Sequence, residues 1–116
     1  MKKVIIIDDK QNLQQSWKNQ LQGKAEVVSA TSLSQAREQF AAHPDVALVV
    51  MDACVDNTDD MIDSIPLTKE IRARFAGPML ATSMSQRYRQ KLMESGCDHE
   101  CGKLDVVRKI LEILGA

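Results

Sequence analysis

Two adjacent carboxylates, Asp8 and Asp9, follow directly on an apolar run, residues 4–7, in the opening stretch MKKVIIIDDK. Neighbouring acids repel each other and are costly beside a buried strand unless positive charge lies between them. A third carboxylate, Asp52, closes the run ALVVMD; Thr82 and Ser83 close PMLATS; Lys103 ends SGCDHECGK. If each run is a strand of one parallel sheet, these groups gather at the carboxyl ends of the strands, where open α/β sheets bind their ligands. Three hard oxygen donors in such a crevice suit Mg²⁺, which takes octahedral oxygen coordination completed by waters and phosphate oxygens. The cation would neutralise Asp8 and Asp9 and leave Asp52 as a carboxylate able to attack a phosphoryl group, forming an aspartyl phosphate. Lys103 offers a point charge for a phosphate oxygen, and Thr82 a hydroxyl that can follow the new group. Phosphoryl transfer needs little beyond such positioning and charge neutralisation.

The elements that must hold these residues are legible from periodicity. Short apolar runs alternate with amphipathic stretches from end to end, the pattern of βαβ units around a parallel sheet. Strands are predicted at 3–7, 25–29, 47–51, 78–82 and 98–101, the first and third continuously apolar as strands covered on both faces must be. Five helical stripes separate or follow them: Leu13/Trp17/Leu21, Leu33/Ala36/Phe40, Leu67/Ile71/Phe75, Met84/Tyr88/Leu92 and Leu104/Val107/Leu111/Leu114. Ser32 with Gln35 and Ser83 with Gln86 read as capping boxes, Pro66 suits a first helical turn, and Gly96 suits a helix end. The one long irregular piece runs from Asp52 to Ser64, DACVDNTDDMIDS, and its length marks it for a functional role.

With these residues in place, the sequence resembles the receiver domains of two-component response regulators over essentially its whole length. VIIIDDK is similar to that family's acidic pair, ALVVMDA to its phosphoacceptor strand, PMLATS to its strand ending in Thr or Ser, and SGCDHECGK to its glycine-to-lysine segment. The resemblance implies an α/β, doubly wound, flavodoxin-like (βα)₅ sandwich whose parallel five-stranded sheet has the order 2-1-3-4-5. It implies one receiver domain over residues 1–116, in which a partner histidine kinase or phosphotransfer protein gives its phosphoryl group to Asp52 with Mg²⁺ present. Lys103 and Thr82 would assist. Asp9 would bind the metal directly and Asp8 through water, with Asp52 and the backbone carbonyl of Cys54 as further ligands.

The sequence also departs from the family. About four extra residues fall in ACVDNTDD, so that Asp56, Asp59 and Asp60 add negative charge beside the site, and Asp63-Ser64 stands where Asp-Gly is expected. These acids read as a solvated loop; an EF-hand is excluded, because its turn glycine and final glutamate are missing. Glu100 occupies the strand-five position, three before the lysine, at which the family commonly carries an aromatic switch residue. Leu104 replaces the usual proline after Lys103, so no cis peptide is expected there.

Composition narrows the remaining choices. The chain has 116 residues, 15 basic and 16 acidic, for a net charge of −1, which gives none of the broad positive field of a nucleic-acid binder. The start is too short in apolar residues for a secretory signal and no stretch approaches a membrane span, so a cytoplasmic protein is expected. Cys54, Cys97 and Cys101 have no disulfide-framework spacing and suit a reducing compartment. A zinc site at Cys97, His99 and Cys101 is disfavoured, because the two thiols would lie about 13 Å apart along an extended strand. Strand five is polar, as an edge strand can be. Trp17 falls on a core stripe. The last helix carries a second apolar stripe, Val106/Ile110/Ile113, so the face bearing Leu104 to Leu114 is a candidate for homodimer or target contact beside the basic helix QRYRQK.

Two functions follow. One is a phosphoacceptor switch acting on a downstream protein target, with no enzymatic turnover; the other is a pseudo-receiver that binds proteins without phosphorylation. A flavin carrier is excluded by Asp8-Asp9, which would repel the ligand's phosphate. A phosphatase on a similar sheet is excluded because DDKQN lacks aspartates at alternate positions.

Overall fold

The computed structural model describes residues 1–57 and 61–116. Five strands, β1 (Lys3–Ile7), β2 (Glu26–Ala30), β3 (Leu48–Asp52), β4 (Met79–Thr82) and β5 (His99–Cys101), form one parallel sheet in the order β2-β1-β3-β4-β5. Between and after them run α1 (Gln11–Leu21), α2 (Leu33–Ala42), α3 (Ile65–Arg74), α4 (Gln86–Ser95) and α5 (Val106–Leu114), the last preceded by a 3₁₀ turn at Lys103–Asp105. Every predicted element is present, and the strand boundaries move by one residue at most. Among the described residues no helix is long and apolar enough to cross a membrane.

The unbroken apolar runs are explained by burial on both faces of the sheet. Val4 and Ile6 pack with Trp17 and Leu21 of α1 and with Val106, Ile110 and Leu114 of α5; Ile5 and Ile7 pack with Ala36 of α2, Leu67 and Ile71 of α3 and Leu92 of α4. The last helix corrects the expected stripe. Val106, Ile110 and Leu114 dock on the sheet, whereas Leu104 is 94% exposed and Val107 and Leu111 are half-buried. A helix touching one sheet face can bury only one stripe fully, and the tighter one won.

Helix starts are set by local hydrogen bonds. Ser32 Oγ accepts from Gln35 N, while Gln35 Oε1 accepts from Thr31 N, so the expected box closes one residue early. The second expected box does not form. Ser85 caps α4 by accepting from Tyr88 N, Ser83 Oγ accepts from Ser85 N, and Met84 lies 75% exposed in the turn before the helix. Pro66 sits in the first turn of α3. Gly96 ends α4 at φ 138°, and a Cβ there would lie 2.9 Å from Cβ and Cγ of Arg72. Glycine is required on both counts. The Arg72 guanidinium donates to the carbonyls of Gly96, Phe75 and Gly77 and to Asp98, tying the end of α3 to the start of β5.

One buried polar side chain holds the crevice end of the sheet. Gln14, 4% exposed on α1, donates from Nε2 to the carbonyls of Ile6 (2.8 Å), Asp8 (3.1 Å) and Ala30 (3.2 Å). These are backbone acceptors at the ends of β1 and β2, where the ladder runs out; Ala30 O also accepts from Asp8 N. Gln14→Leu, similar in volume but without a donor, is expected to lower unfolding stability by on the order of 2 kcal/mol, read as a lower urea midpoint at unchanged slope.

Candidate phosphoacceptor site

The five residues expected to do chemistry come together. β1 delivers Asp8 and Asp9, β3 ends in Asp52, and Thr82 is the direct register partner of Asp52 on β4. Ligand atoms of Asp8, Asp9 and Asp52 all lie within 4.8 Å of one another. Lys103 enters from the turn after β5, and its ammonium donates to Asp8 Oδ2 at 2.5 Å, Asp52 Oδ1 at 2.8 Å and Thr82 Oγ1 at 3.1 Å. All four partners are shielded: Asp8 and Thr82 are 1% exposed, Asp52 is 6%, and the Lys103 side chain 13%.

The charge arithmetic is unbalanced. Three carboxylates and the Lys103 ammonium sum to −2. Lys10 Nζ lies 3.8 Å from Asp9 Oδ1, but its side chain is 41% exposed and solvent-screened. Burial pushes the Asp52 carboxyl up to about 6, against the opposing pull of Lys103, and the neighbouring charges of Asp8 and Asp9 push it the same way as burial. Both Asp8 oxygens have donors, Lys10 N on Oδ1 and Lys103 on Oδ2. Asp9 Oδ1 is buried without a hydrogen-bond partner. A compact oxygen cluster with excess negative charge and an orphaned carboxylate oxygen is a donor set that fits a hard divalent cation.

Cys54, expected to contribute its carbonyl, is buried and lines a cavity of about 350 Å³ with Asp52, Lys103, Lys10, Leu13, Met84 and Tyr88. The carbonyl before it, that of Ala53, accepts from Asp63 N, Ser64 N and Ser64 Oγ. The acidic segment is not simply solvated. The Asp63 carboxylate accepts from the amides of Val55, Asp56 and Asn57, and Asp56 Oδ1 accepts from Leu33 N at the start of α2. Asp63 folds the loop, and Asp56 is engaged by a helix N-terminus, a favourable place for an anion. Asp59 and Asp60 lie outside the described residues.

Three features escaped the sequence. Trp17 is core, as expected, but its ring also lies under the Lys103 ammonium at 5.7 Å from the centroid, a contact that orients the lysine. Gln14 reads as one polar residue of a polar helix, and its spacing of three from Trp17 and seven from Leu21 is the one signal of its burial. Glu100 is paired: Arg89 Nε donates to its Oε1 at 3.1 Å. The zinc alternative has no geometry, since Cys97 packs under α3 and α4 while Cys101 packs with α5 on the opposite face. Burial raises both thiols, to about 12 and about 11. Among the described residues, Asp8, Asp9 and Asp52 form the one acidic or thiol cluster of metal-binding dimensions.

No protein-family model matches this sequence, and no curated protein is similar enough to match it. Solved structures do. A two-component response regulator from Clostridium difficile superposes over 99% of this chain and 97% of its own, with a TM-score of 0.83 at 21% identity. A Burkholderia pseudomallei response regulator, solved with a phosphorylated aspartic acid, calcium ion and citrate, covers 98% of this chain and 66% of its own (TM-score 0.82, 18% identity). The BeF3-activated N-terminal receiver domain of Klebsiella pneumoniae RstA covers 98% and 99% (TM-score 0.80, 17% identity). The doubly wound sheet is therefore of the flavodoxin-like class. Within that class its fold is the receiver fold of response regulators.

The raised Asp52 carboxyl has a thermodynamic signature. Between about pH 4 and 6 the folded metal-free protein holds this proton and the unfolded chain does not, so stability contributed here rises as pH falls through that window. Above pH 6 the ionised side chain is a net cost. Asp52→Asn is expected to be the more stable protein at pH 7.5 without metal, by on the order of 2 kcal/mol, and to lack the wild type's extra gain on acidification. Denaturation of both proteins across pH 4–8 in a chelator measures the difference.

Proposed function

We propose that the chain is a receiver domain, residues 1–116, whose Asp52 accepts a phosphoryl group from a partner histidine kinase or phosphotransfer protein and so switches a protein-binding surface. The observation that carries this reading is the convergence of Asp8, Asp9, Asp52, Thr82 and Lys103, from three strand ends and the turn after β5, on one shielded point. An Asp52 carboxylate oxygen attacks phosphorus; the P–N bond of the donor phosphohistidine breaks, and its electron pair returns to the imidazole. Lys103 is already within reach of Asp52 and so pairs with the incoming phosphoryl oxygens. Thr82, opposite Asp52 in the ladder, donates its hydroxyl to one of them.

Asp9, through its orphaned oxygen, and Asp52 would hold Mg²⁺ directly, with Asp8 through water and the Cys54 carbonyl completing the protein ligands. When bound, Mg²⁺ supplies the positive charge that offsets the acidic cluster and the phosphoryl oxygens. The bound metal ion and phosphorylated aspartate of the Burkholderia protein support this assignment by analogy of fold. The role is that of a switch, without turnover of a substrate; a cytoplasmic location and a downstream protein target go with it, and neither nucleic acid nor membrane is a direct partner. The outward face of α5, with exposed Leu104 and half-buried Val107 and Leu111, is the candidate contact for that target or for a second copy.

Beryllofluoride with Mg²⁺ tests the reading as a phosphoryl mimic. Amide resonances around Asp52, Thr82 and Lys103 are expected to shift in the wild type, and not in Asp52→Asn. A wild type without shifts would leave the second reading, a pseudo-receiver binding its partners without phosphate, which the already occupied position of Glu100 favours.

A further inference from the structure

The Lys103 ammonium is bonded within the acidic cluster, yet little of its backbone fixes where that ammonium goes. β5 is an edge strand of three residues, Gly102 follows it, and Leu104, the residue after the lysine, is 94% exposed. Placement must then come from the far end of a flexible four-carbon stem. Three of the groups there are oxygens, Asp8 Oδ2, Asp52 Oδ1 and Thr82 Oγ1, one for each N–H of the ammonium. The fourth is the Trp17 ring, its centroid 5.7 Å from Nζ. The ring is itself held: it is 4% exposed, packed in the layer of Val4, Ile6 and Val106, on a helix pinned to the ends of β1 and β2 by Gln14 three residues earlier.

These contacts differ in kind. Asp8 and Asp52 belong to the cluster that fits a cation, and Asp52 is the proposed acceptor, so the oxygens that bond the ammonium at rest are ones the chemistry requires elsewhere. An indole face offers no ligand atom to a hard cation. It attracts the ammonium alone, through the negative face of the ring.

We propose that Trp17 is a positioning residue, whose ring face keeps the Lys103 ammonium at the crevice while Asp8 and Asp52 engage other partners, so that its charge is already in place for an incoming phosphoryl oxygen. This rests on the phosphoacceptor reading above and adds a core side chain of α1 to the site it describes. With the lysine side chain 13% exposed and the tryptophan 4%, little water competes for the contact. Without the ring, the ammonium swings on its stem whenever the carboxylates release it, and the cost of ordering it again falls on phosphoryl binding.

The chain's single tryptophan permits a test that hardly alters shape. Biosynthetic replacement by mono-, di- and trifluorinated tryptophan drains the negative face of the ring stepwise, at this position and no other. Beryllofluoride affinity of the intact protein in saturating Mg²⁺ is expected to fall along the series, by roughly threefold in all. Affinity for Mg²⁺ alone should hold, because the ring gives the ion no ligand. Trp17→Leu is expected to lose roughly fivefold in beryllofluoride affinity, and Trp17→Phe, which keeps an aromatic face, to restore part of it. The Lys103 protons beside Nζ should resonate upfield in the wild type, under the ring current of the indole, and return to ordinary positions in Trp17→Leu. A flat fluorine series, equal losses of Mg²⁺ and beryllofluoride affinity along it, or unshifted Lys103 protons in the wild type would overturn the positioning role while sparing the phosphoacceptor reading. A wild type that binds no beryllofluoride would overturn both.

Discussion

Carboxylates at the carboxyl ends of two adjacent central strands, β1 and β3, are brought to within 4.8 Å of one another in a crevice with little solvent, and the rest of the molecule can be understood as what makes that tolerable. A parallel sheet forces the proximity, since neighbouring strands that start together also end together. Counter-charge must then come from elsewhere in the chain. Lys103 supplies it from 95 residues beyond Asp8 and 51 beyond Asp52, so the site exists only when the whole domain has folded. The backbone at these strand ends is held by Gln14, whose amide bonds three carbonyls at the ends of β1 and β2 at once, that of Ala30 together with the Asp8 amide.

The lysine does not balance the cluster, and the deficit falls on Asp52. A carboxylate with an affinity for protons raised to about 6 is more basic than an exposed aspartate, and it sits beside an ammonium that can exchange one anionic partner for another. Charge concentrated in this way is a stability cost. Of the described acids after β3, Asp63 binds three amides of its own loop, and Asp56 binds the start of α2.

Strands and helix types were legible because period and burial agree in this fold. Runs such as residues 4–7 are apolar throughout, since alternate residues face two different helical layers, and that pattern has few other readings. The strand-end residues were legible for the same reason: once the runs are strands, topology alone puts Asp8, Asp52 and Thr82 together. What resisted was anything decided between elements at the level of a single side chain. Two apolar stripes on α5 could each have docked, and sequence cannot weigh their fit to the sheet. Ser83 and Ser85 both precede α4, and either could have capped it. Glu100 read as a missing aromatic, because its partner Arg89 lies 11 residues earlier on a helix whose rotation about its axis only packing fixes.

The chain contains a single tryptophan, and it lies beneath the ammonium that links the acidic cluster. The indole's excited state is sensitive to a nearby positive charge, so its emission colour depends on where Lys103 points. The protein thus carries an intrinsic optical gauge at the centre of its own site. Occupancy of the crevice can be followed in solution without a dye, a tag or an added chromophore.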